Sequence, residues 1–311
     1  MFSPLYWIAR LLLAGLQILP MQLVARLGRA CGALAYWLDP RHRRVAMENL
    51  TACFGTEKSP AEIRAIAREN FRRIGENFAS AAKTASFSTA QIRACVEWTG
   101  AEHLARHLPG DHNAVVAIGH FGNFELYAHT SLAVPGFQCA TTYRALPHPA
   151  LDALIQQFRL KSGCLFFERR RDKMALRQAL NQQRLLLGLL VDQHAGGKGL
   201  PVPFFGRTCS TSAAPVLFAQ RYHAPLHIAI CHRLAVGRWQ IEISPEIPVR
   251  HEGHLRPVEE VCAEINRAYE AAIRRDPANW FWVHRRWKTS WRHHNPVAPG
   301  MGTGSPAISS P

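Results

Sequence analysis

The stretch Ala114-Val-Val-Ala-Ile-Gly-His-Phe-Gly-Asn-Phe-Glu125 decides how this chain is read. An apolar, β-branched run ends in a histidine held between two glycines, with a glutamate five positions on. Such a run reads as a buried strand, and the glycines that follow read as a tight turn at its carboxyl end. On one regular helix, five residues turn through roughly 500°, so His120 and Glu125 would point roughly 140° apart. With His120 in the turn and Glu125 in the first helical turn after it, the carboxylate can swing back to the imidazole. The reading expects a polarised base at an open strand end. The competing reading is an ordinary polar residue at a turn. No serine or cysteine stands in a nucleophile-elbow pattern, so the chemistry expected of such a base is direct transfer to a hydroxyl or amine without a covalent enzyme intermediate.

Further along, short apolar runs alternate with helical segments. Ala114 to Ile118 is followed by a helix at about 123–131, Gln138 to Thr142 by one at 149–161, and Leu185 to Val191 by one at 211–222. Leu226 to Cys231 and Gln240 to Ile243 follow, separated by a short loop with Gly237. This alternation predicts an α/β fold with a β-sheet flanked by helices, mixed because the last two strands are close enough to form a hairpin. Val258 to Arg274 predicts a closing helix. Before the strands, Ile63, Ile66, Phe71, Ile74 and Phe78 recur at helical spacing behind Pro60, so 60–96 is read as helical.

The composition bounds the rest. With 311 residues, 48% hydrophobic and 19% charged, the chain supports a substantial core and is not disordered as a whole. Its 37 Lys plus Arg against 22 Asp plus Glu, a formal charge of +15, imply an anionic partner. Nucleic acid, anionic lipid, a phosphorylated substrate and an acidic carrier protein all satisfy that requirement. The eight cysteines stand singly, with no zinc-type spacing, and read as buried thiols of a reduced compartment. No metal and no cofactor are expected, and the glycines after Asp192 form neither a dinucleotide-binding nor a P-loop pattern.

The amino terminus bears on location. Ser3 to Leu38 is almost continuously apolar, but Arg10, Arg26 and Arg29 interrupt it and Pro20 breaks it. Its longest uncharged run, Leu11 to Ala25, is 15 residues, short of the ~20 that span a bilayer as a helix. Residues 1–40 are therefore read as a membrane-anchoring helical segment that lies in the interface or inserts at a tilt. The basic Arg41-His-Arg-Arg44 beside it suits a cytoplasmic flank. Residues 41–292 form the expected catalytic domain, and the Pro-, Gly- and Ser-rich 293–311 a disordered tail.

Other segments carry candidate chemistry. Tyr143-Arg144 follows a strand, and Arg159 lies in the next helix, where a cation can meet a phosphate or a developing oxyanion or can simply face solvent. Asp192-Gln193-His194 ends another strand above a glycine loop, as a site residue or a turn cap. Pro201-Val-Pro-Phe-Phe-Gly206 suits an acyl-pocket wall or a packed loop. In Asp276 to Lys288, aromatics interleave with cations, as they do where bases stack or at a membrane interface; the apolar amino terminus favours the membrane and argues against a nucleic-acid partner.

Taken together, these blocks resemble the lipid A secondary acyltransferases, the lauroyl and myristoyl transferases of lipopolysaccharide biosynthesis, within the lysophospholipid acyltransferase superfamily. The resemblance spans about residues 5–290. It rests on Gly119-His-Phe-Gly-Asn-Phe-Glu125, Tyr143-Arg144 with His148-Pro149 and Asp152, Arg159, Asp192-Gln193, Val202-Pro-Phe-Phe-Gly206 and Trp282-Val-His-Arg-Arg-Trp-Lys-Thr289. It implies a glycerolipid acyltransferase-like fold with a hydrophobic acyl tunnel, His120 as catalytic base, Glu125 as its partner and Arg159 as an active-site residue. Asn123, Tyr143, Arg144, Asp192, Gln193, Phe204, Phe205, Gly206, Arg285 and Arg286 are the implied substrate contacts. The donor is then acyl carrier protein or acyl-CoA, the acceptor an anionic lipid A-type glycolipid, and the place the cytoplasmic face of the bacterial inner membrane. Two motifs depart from the family pattern: Asp-Gln-Asp reads Asp192-Gln193-His194, and Arg-Arg-Phe-Lys-Thr-Arg-Pro reads Arg285-Arg-Trp-Lys-Thr-Ser-Trp291. The acceptor therefore stays open to other membrane lipids, a phosphoinositide mannoside or an aminolipid, and beside the enzyme stands a non-catalytic basic protein that binds membranes peripherally.

Overall fold

The structure, a computed structural model, describes residues 4–110, 112–182 and 184–288; the expected tail at 293–311 lies outside them. Two helices open the chain, α1 (Pro4–Ile18) and α2 (Met21–Leu38), broken at Pro20 as the sequence predicts. α3 (Pro40–Phe54) starts on the Asp39 carboxylate, which accepts from the His42 backbone N–H. The segment read as one helical stretch at 60–96 divides into α4 (Pro60–Thr84), α5 (Thr89–Cys95) and a short strand β1 (Val96–Thr99). Ser59 with Glu62 and Ser88 with Gln91 form the capping boxes that start the two helices.

After α6 (Ala101–Ala105) comes β2 (Ala114–Ile118), then a 3₁₀ segment Phe124–Leu132, β3 (Gln138–Tyr143), α7 (Pro149–Arg159) and β4 (Leu165–Glu168). The chain continues through α8 (Lys173–Leu180), β5 (Leu185–Leu190), β6 (Leu200–Phe204), β7 (Arg207–Thr211) and α9 (Ala214–Arg221). It ends in β8 (Leu226–Ala235), β9 (Arg238–Ile243), the small hairpin β10 (Arg250–His251) and β11 (His254–Leu255), and α10 (Val258–Arg275). Seven strands form one sheet in the order β1-β9-β8-β2-β5-β3-β4. Every neighbouring pair is parallel except β8 and β9, which meet as the expected antiparallel hairpin. The α/β class and the mixed sheet are as the sequence predicts.

The core strand β2 is buried along its whole length, which is why it reads as an unbroken apolar run rather than an alternating one. Its neighbours are β5 on one side and β8 on the other. The chain leaves β2 for β3 and β4 and returns to fill the gap with β5, so the carboxyl ends of β2 and β5 border the crevice where ligands collect in open α/β sheets.

No helix among the described residues is long and apolar enough to cross a membrane. α2 is instead built into the domain. A Cβ on Gly28 or Gly32 would run into the backbone of Gly75 or Phe71 on α4, so the two helices touch backbone to backbone only because these positions lack side chains. Glu76, fully buried on α4, accepts from Arg29 of α2 at 3.0 Å, from Arg233 of β8 at 2.9 Å and from the Gly237 N–H at 3.0 Å. The outer side of both helices stays apolar and exposed, with Trp7, Ile8, Leu11 and Leu12 on α1 and Leu34, Trp37 and Leu38 on α2.

Candidate active site

In the parallel register of β2 and β5, Ile118 lies opposite Leu190. Two residues further along each strand are His120 and Asp192, and they emerge side by side. The His120 ring Nδ1 is 2.8 Å from Asp192 Oδ1, and the His120 backbone N–H donates to Asp192 Oδ2 at 2.7 Å. Trp280 Nε1 donates to the same Oδ2 at 2.8 Å. Burial alone would raise the Asp192 carboxyl, but the facing imidazole charge and these hydrogen bonds outweigh it and hold the group below the ordinary carboxylate range. An ionised Asp192 accepts only, so the proton shared with it sits on His120 Nδ1, and in the neutral ring Nε2 is the accepting atom, turned to the Gln193 amide. The Gln193 amide nitrogen stands 3.4 Å from that Nε2, and the rings of Phe124 and Phe281 lie 4.8 and 5.8 Å from the imidazole.

The turn itself is held from below. Gly122 takes a positive φ of 49° and donates to the carbonyl of Asn279, while a Cβ there would crowd Cys231 and Trp239. The segment carrying Trp280 is pinned in turn by Asn70, which donates to the carbonyls of Ala278 and Trp280, and by Asn49, which donates to those of Trp282 and His284.

The structure does not pair Glu125 with His120. The glutamate sits in the first turn after the strand, as predicted, but both its oxygens are taken by Arg159: Nε donates to Oε2 at 3.1 Å and an Nη to Oε1 at 2.5 Å. The guanidinium also lies over the rings of Tyr143 and Phe166, at 5.8 and 5.3 Å. A fork-shaped, permanently charged partner competes better for a carboxylate than an imidazole does, so the local pairing gives way to one across 34 residues.

A cavity of about 1470 Å³ opens beside the pair. Its walls include His120, Glu125, Arg159 and Gln193, the apolar Val116, Leu186, Gly188, Cys139, Leu154 and Phe166, and Ala9 and Leu13 of α1. Tyr143 and Arg144 line it as well, Arg144 from the exposed rim. His284 and Lys288 also line it, two residues of the carboxyl-terminal motif that the sequence reading does not place in the site. Burial first, with the nearby cations adding to it, pushes the His284 imidazole down to about 4, so it stays neutral and its Nε2 accepts from the His194 backbone N–H.

Several expected contacts fall elsewhere. Asn123 is buried outside the cavity, its amide without a hydrogen-bond partner among the described residues. Phe204 and Phe205 pack into an aromatic cluster with Trp280, Trp287, Phe54 and Trp282, and with Gly206 they stand away from the cavity, so this segment is a packed strand and hairpin turn and not an acyl-pocket wall. Arg285 is exposed and outside the cavity. Arg286 is fully buried and spends its guanidinium on the carbonyls of Gln193 and Ser210 and on Thr211 Oγ1, which makes it a brace for the Gln193 loop. The aromatic run read as a membrane-interface segment is core: Trp280 and Trp282 are buried and packed edge to face, 4.7 Å apart.

With this geometry in place, comparison with known proteins adds an independent finding. The family model for bacterial lipid A biosynthesis acyltransferases matches residues 3–289. The chain is 25% identical over 302 residues to a lipid A biosynthesis palmitoleoyltransferase of Escherichia coli, covering 92% of each chain. It is 25% identical over 295 residues to that organism's lipid A biosynthesis lauroyltransferase, covering 93% of this chain and 94% of the relative. A lipid A biosynthesis acyltransferase of Haemophilus influenzae is likewise 25% identical over 292 residues, at 92% and 90% coverage.

Proposed function

The chain belongs to the bacterial lipid A biosynthesis acyltransferase family and is an acyltransferase, and from that premise we propose that it moves a fatty acyl chain from a thioester directly to a hydroxyl of a lipid A-type glycolipid, with His120 as general base. The observation that carries this reading is the Asp192-bound imidazole, its Nε2 facing only the displaceable Gln193 amide, in the wall of a large cavity lined in good part by apolar side chains. The acceptor hydroxyl gives its proton to Nε2 as its oxygen attacks the thioester carbonyl. The carbon–sulfur bond then breaks, and the leaving thiolate takes that proton back. Asp192 keeps the imidazole in the right tautomer and stabilises the imidazolium between the two transfers. Glu125 and Arg159 form one ion pair on the cavity wall, which fixes the orientation of the guanidinium there.

The donor in this reading is acyl carrier protein or coenzyme A. Arg144, Arg169, Lys173, Arg177 and Arg221 are exposed and border the cavity, a rim suited to the polyanionic carrier of either thioester. The exposed apolar side of α1 and α2 supports attachment to the cytoplasmic face of the inner membrane by interfacial burial rather than by a span. The test is a lipid profile of a strain lacking this protein, paired with thioester-dependent acylation by the purified chain. Loss of one acylated lipid A species, restored by the wild type but not by His120→Ala, is expected. An unchanged lipid A with a different lipid lost would move the acceptor to another class, and restoration by His120→Ala would overturn the catalytic reading in favour of a membrane-binding protein.

A further inference from the structure

Gly188 interrupts a strand that is otherwise all leucine, Leu185-Leu-Leu-Gly-Leu-Leu190, in the interior of the seven-stranded sheet beside its central strand β2. A glycine there weakens a strand and packs nothing, so its presence at such a place marks a close approach by something else. In the register of the sheet it lies opposite Val116 on β2 and Thr141 on β3. All three line the large cavity, and Gly188 is partly exposed to it while the leucines on either side, Leu187 and Leu189, are buried. A Cβ built on Gly188 finds Ile118 Cδ1 at 3.4 Å and the Ala140 carbonyl at 3.8 Å. The first carbon of a side chain therefore fits, and any longer side chain projects into the cavity.

Its depth below the reacting centre follows from the register. Val116 lies two residues before β2 ends at Ile118 and His120 two residues beyond it, and Gly188 is one strand across from Val116, so ~3.3 Å per residue and ~4.8 Å between strands put the glycine at most about 14 Å from His120. An extended saturated chain, with single bonds of ~1.5 Å, advances about 1.3 Å per carbon, so it covers that distance in roughly eleven carbons.

We propose that Gly188 sets the length of acyl chain that this enzyme accepts, its missing side chain being the room over which the distal carbons lie. This rests on the cavity holding the acyl chain, as argued above. The test uses Gly188→Ala and Gly188→Met in the full chain, with acyl thioesters of eight, ten, twelve and fourteen carbons as donors. Gly188→Met is expected to keep wild-type kcat/KM on the shortest donors and to lose about tenfold or more on the fourteen-carbon donor. Gly188→Ala shifts the same ratio in the same sense but less, and it decides the matter if the methionine variant does not fold. An equal loss at every length, or no change at any, overturns the proposal. Binding of the matching saturated fatty acids by calorimetry separates this from the reading beneath it. If the wild type transfers no acyl group, the catalytic reading falls, while loss of the fourteen-carbon acid with retention of the eight-carbon acid in Gly188→Met still supports the role of Gly188. Unchanged binding of both acids in Gly188→Met overturns it.

Discussion

Replacing Asp192 by asparagine isolates the proposed partner of His120 with little change in shape. Asp192 Oδ2 accepts two N–H donors, the His120 backbone and Trp280, and Oδ1 accepts the single ring N–H of His120. In an asparagine the carbonyl oxygen is best placed where two donors converge, which leaves the NH₂ facing His120 Nδ1. That nitrogen must then become the acceptor, and the ring proton moves to Nε2, the atom that has to take the acceptor's proton. The carboxylate that would steady the imidazolium is gone as well. We expect kcat in a thioester-dependent acylation assay to fall by about 10² to 10⁴-fold, the scale of losing a positioned base. KM should change little, because Asp192 is buried behind the imidazole and does not line the cavity. A thermal melt run in parallel checks that the fold survives. An Asp192→Asn enzyme within tenfold of wild type, together with a Glu125→Gln enzyme that is dead, would refute the reasoning and return the partner role to Glu125.

Four further outcomes are expected. Arg159→Ala and Glu125→Ala should each lower activity, and the pair should couple by about 1–2 kcal/mol in a stability cycle, with Arg159→Glu worse than Arg159→Ala because it sets two carboxylates together. Arg286→Met should cost about 3 kcal/mol in a denaturant titration, since the carbonyls of Gln193 and Ser210 lose their buried donor. Burial pushes the His227 imidazole down to about 4 from its ordinary 6.5, so below pH 6.5 the unfolded chain binds a proton that the folded chain refuses; stability from this residue is intact above that pH, falls by about 2 kcal/mol at pH 5, and the loss should shrink in His227→Asn. Deleting residues 1–18 should weaken membrane attachment and leave a folded domain, whereas deleting 1–38 should unfold it by stripping Arg29 from the buried Glu76, as circular dichroism and a flotation assay would read.

What was legible in the sequence, and what was not, follows from the range over which each signal acts. β2, β5 and β8 announce themselves as apolar runs of five or more residues, β3 by its threonines and tyrosine and β9 by its alternation, and the short Gly237 loop announces the hairpin. β1 and β4 do not, at four residues each on the sheet's edges, and the prolines at 201 and 203 argue against β6, which tolerates them in a two-stranded ribbon. Trp280, Phe281 and Trp282 run straight into the basic His284 to Lys288 in the manner of an interface, and nothing local reveals that Asn49 and Asn70 tie that segment's carbonyls into the core. The site shows the same limit in its sharpest form. His120 and Asp192 could each be picked out alone as strand-end residues, but their pairing depends on β2 and β5 being neighbours in one particular register, a fact carried by the whole sheet. Glu125 looked like the partner because it was near in sequence, and it was drawn off by an arginine that the following strand and helix bring back. In a parallel sheet the residues that meet at the crevice come from strands a crossover apart, so a spacing of five in one loop is weaker grounds for a catalytic pair than two strand ends that share a register.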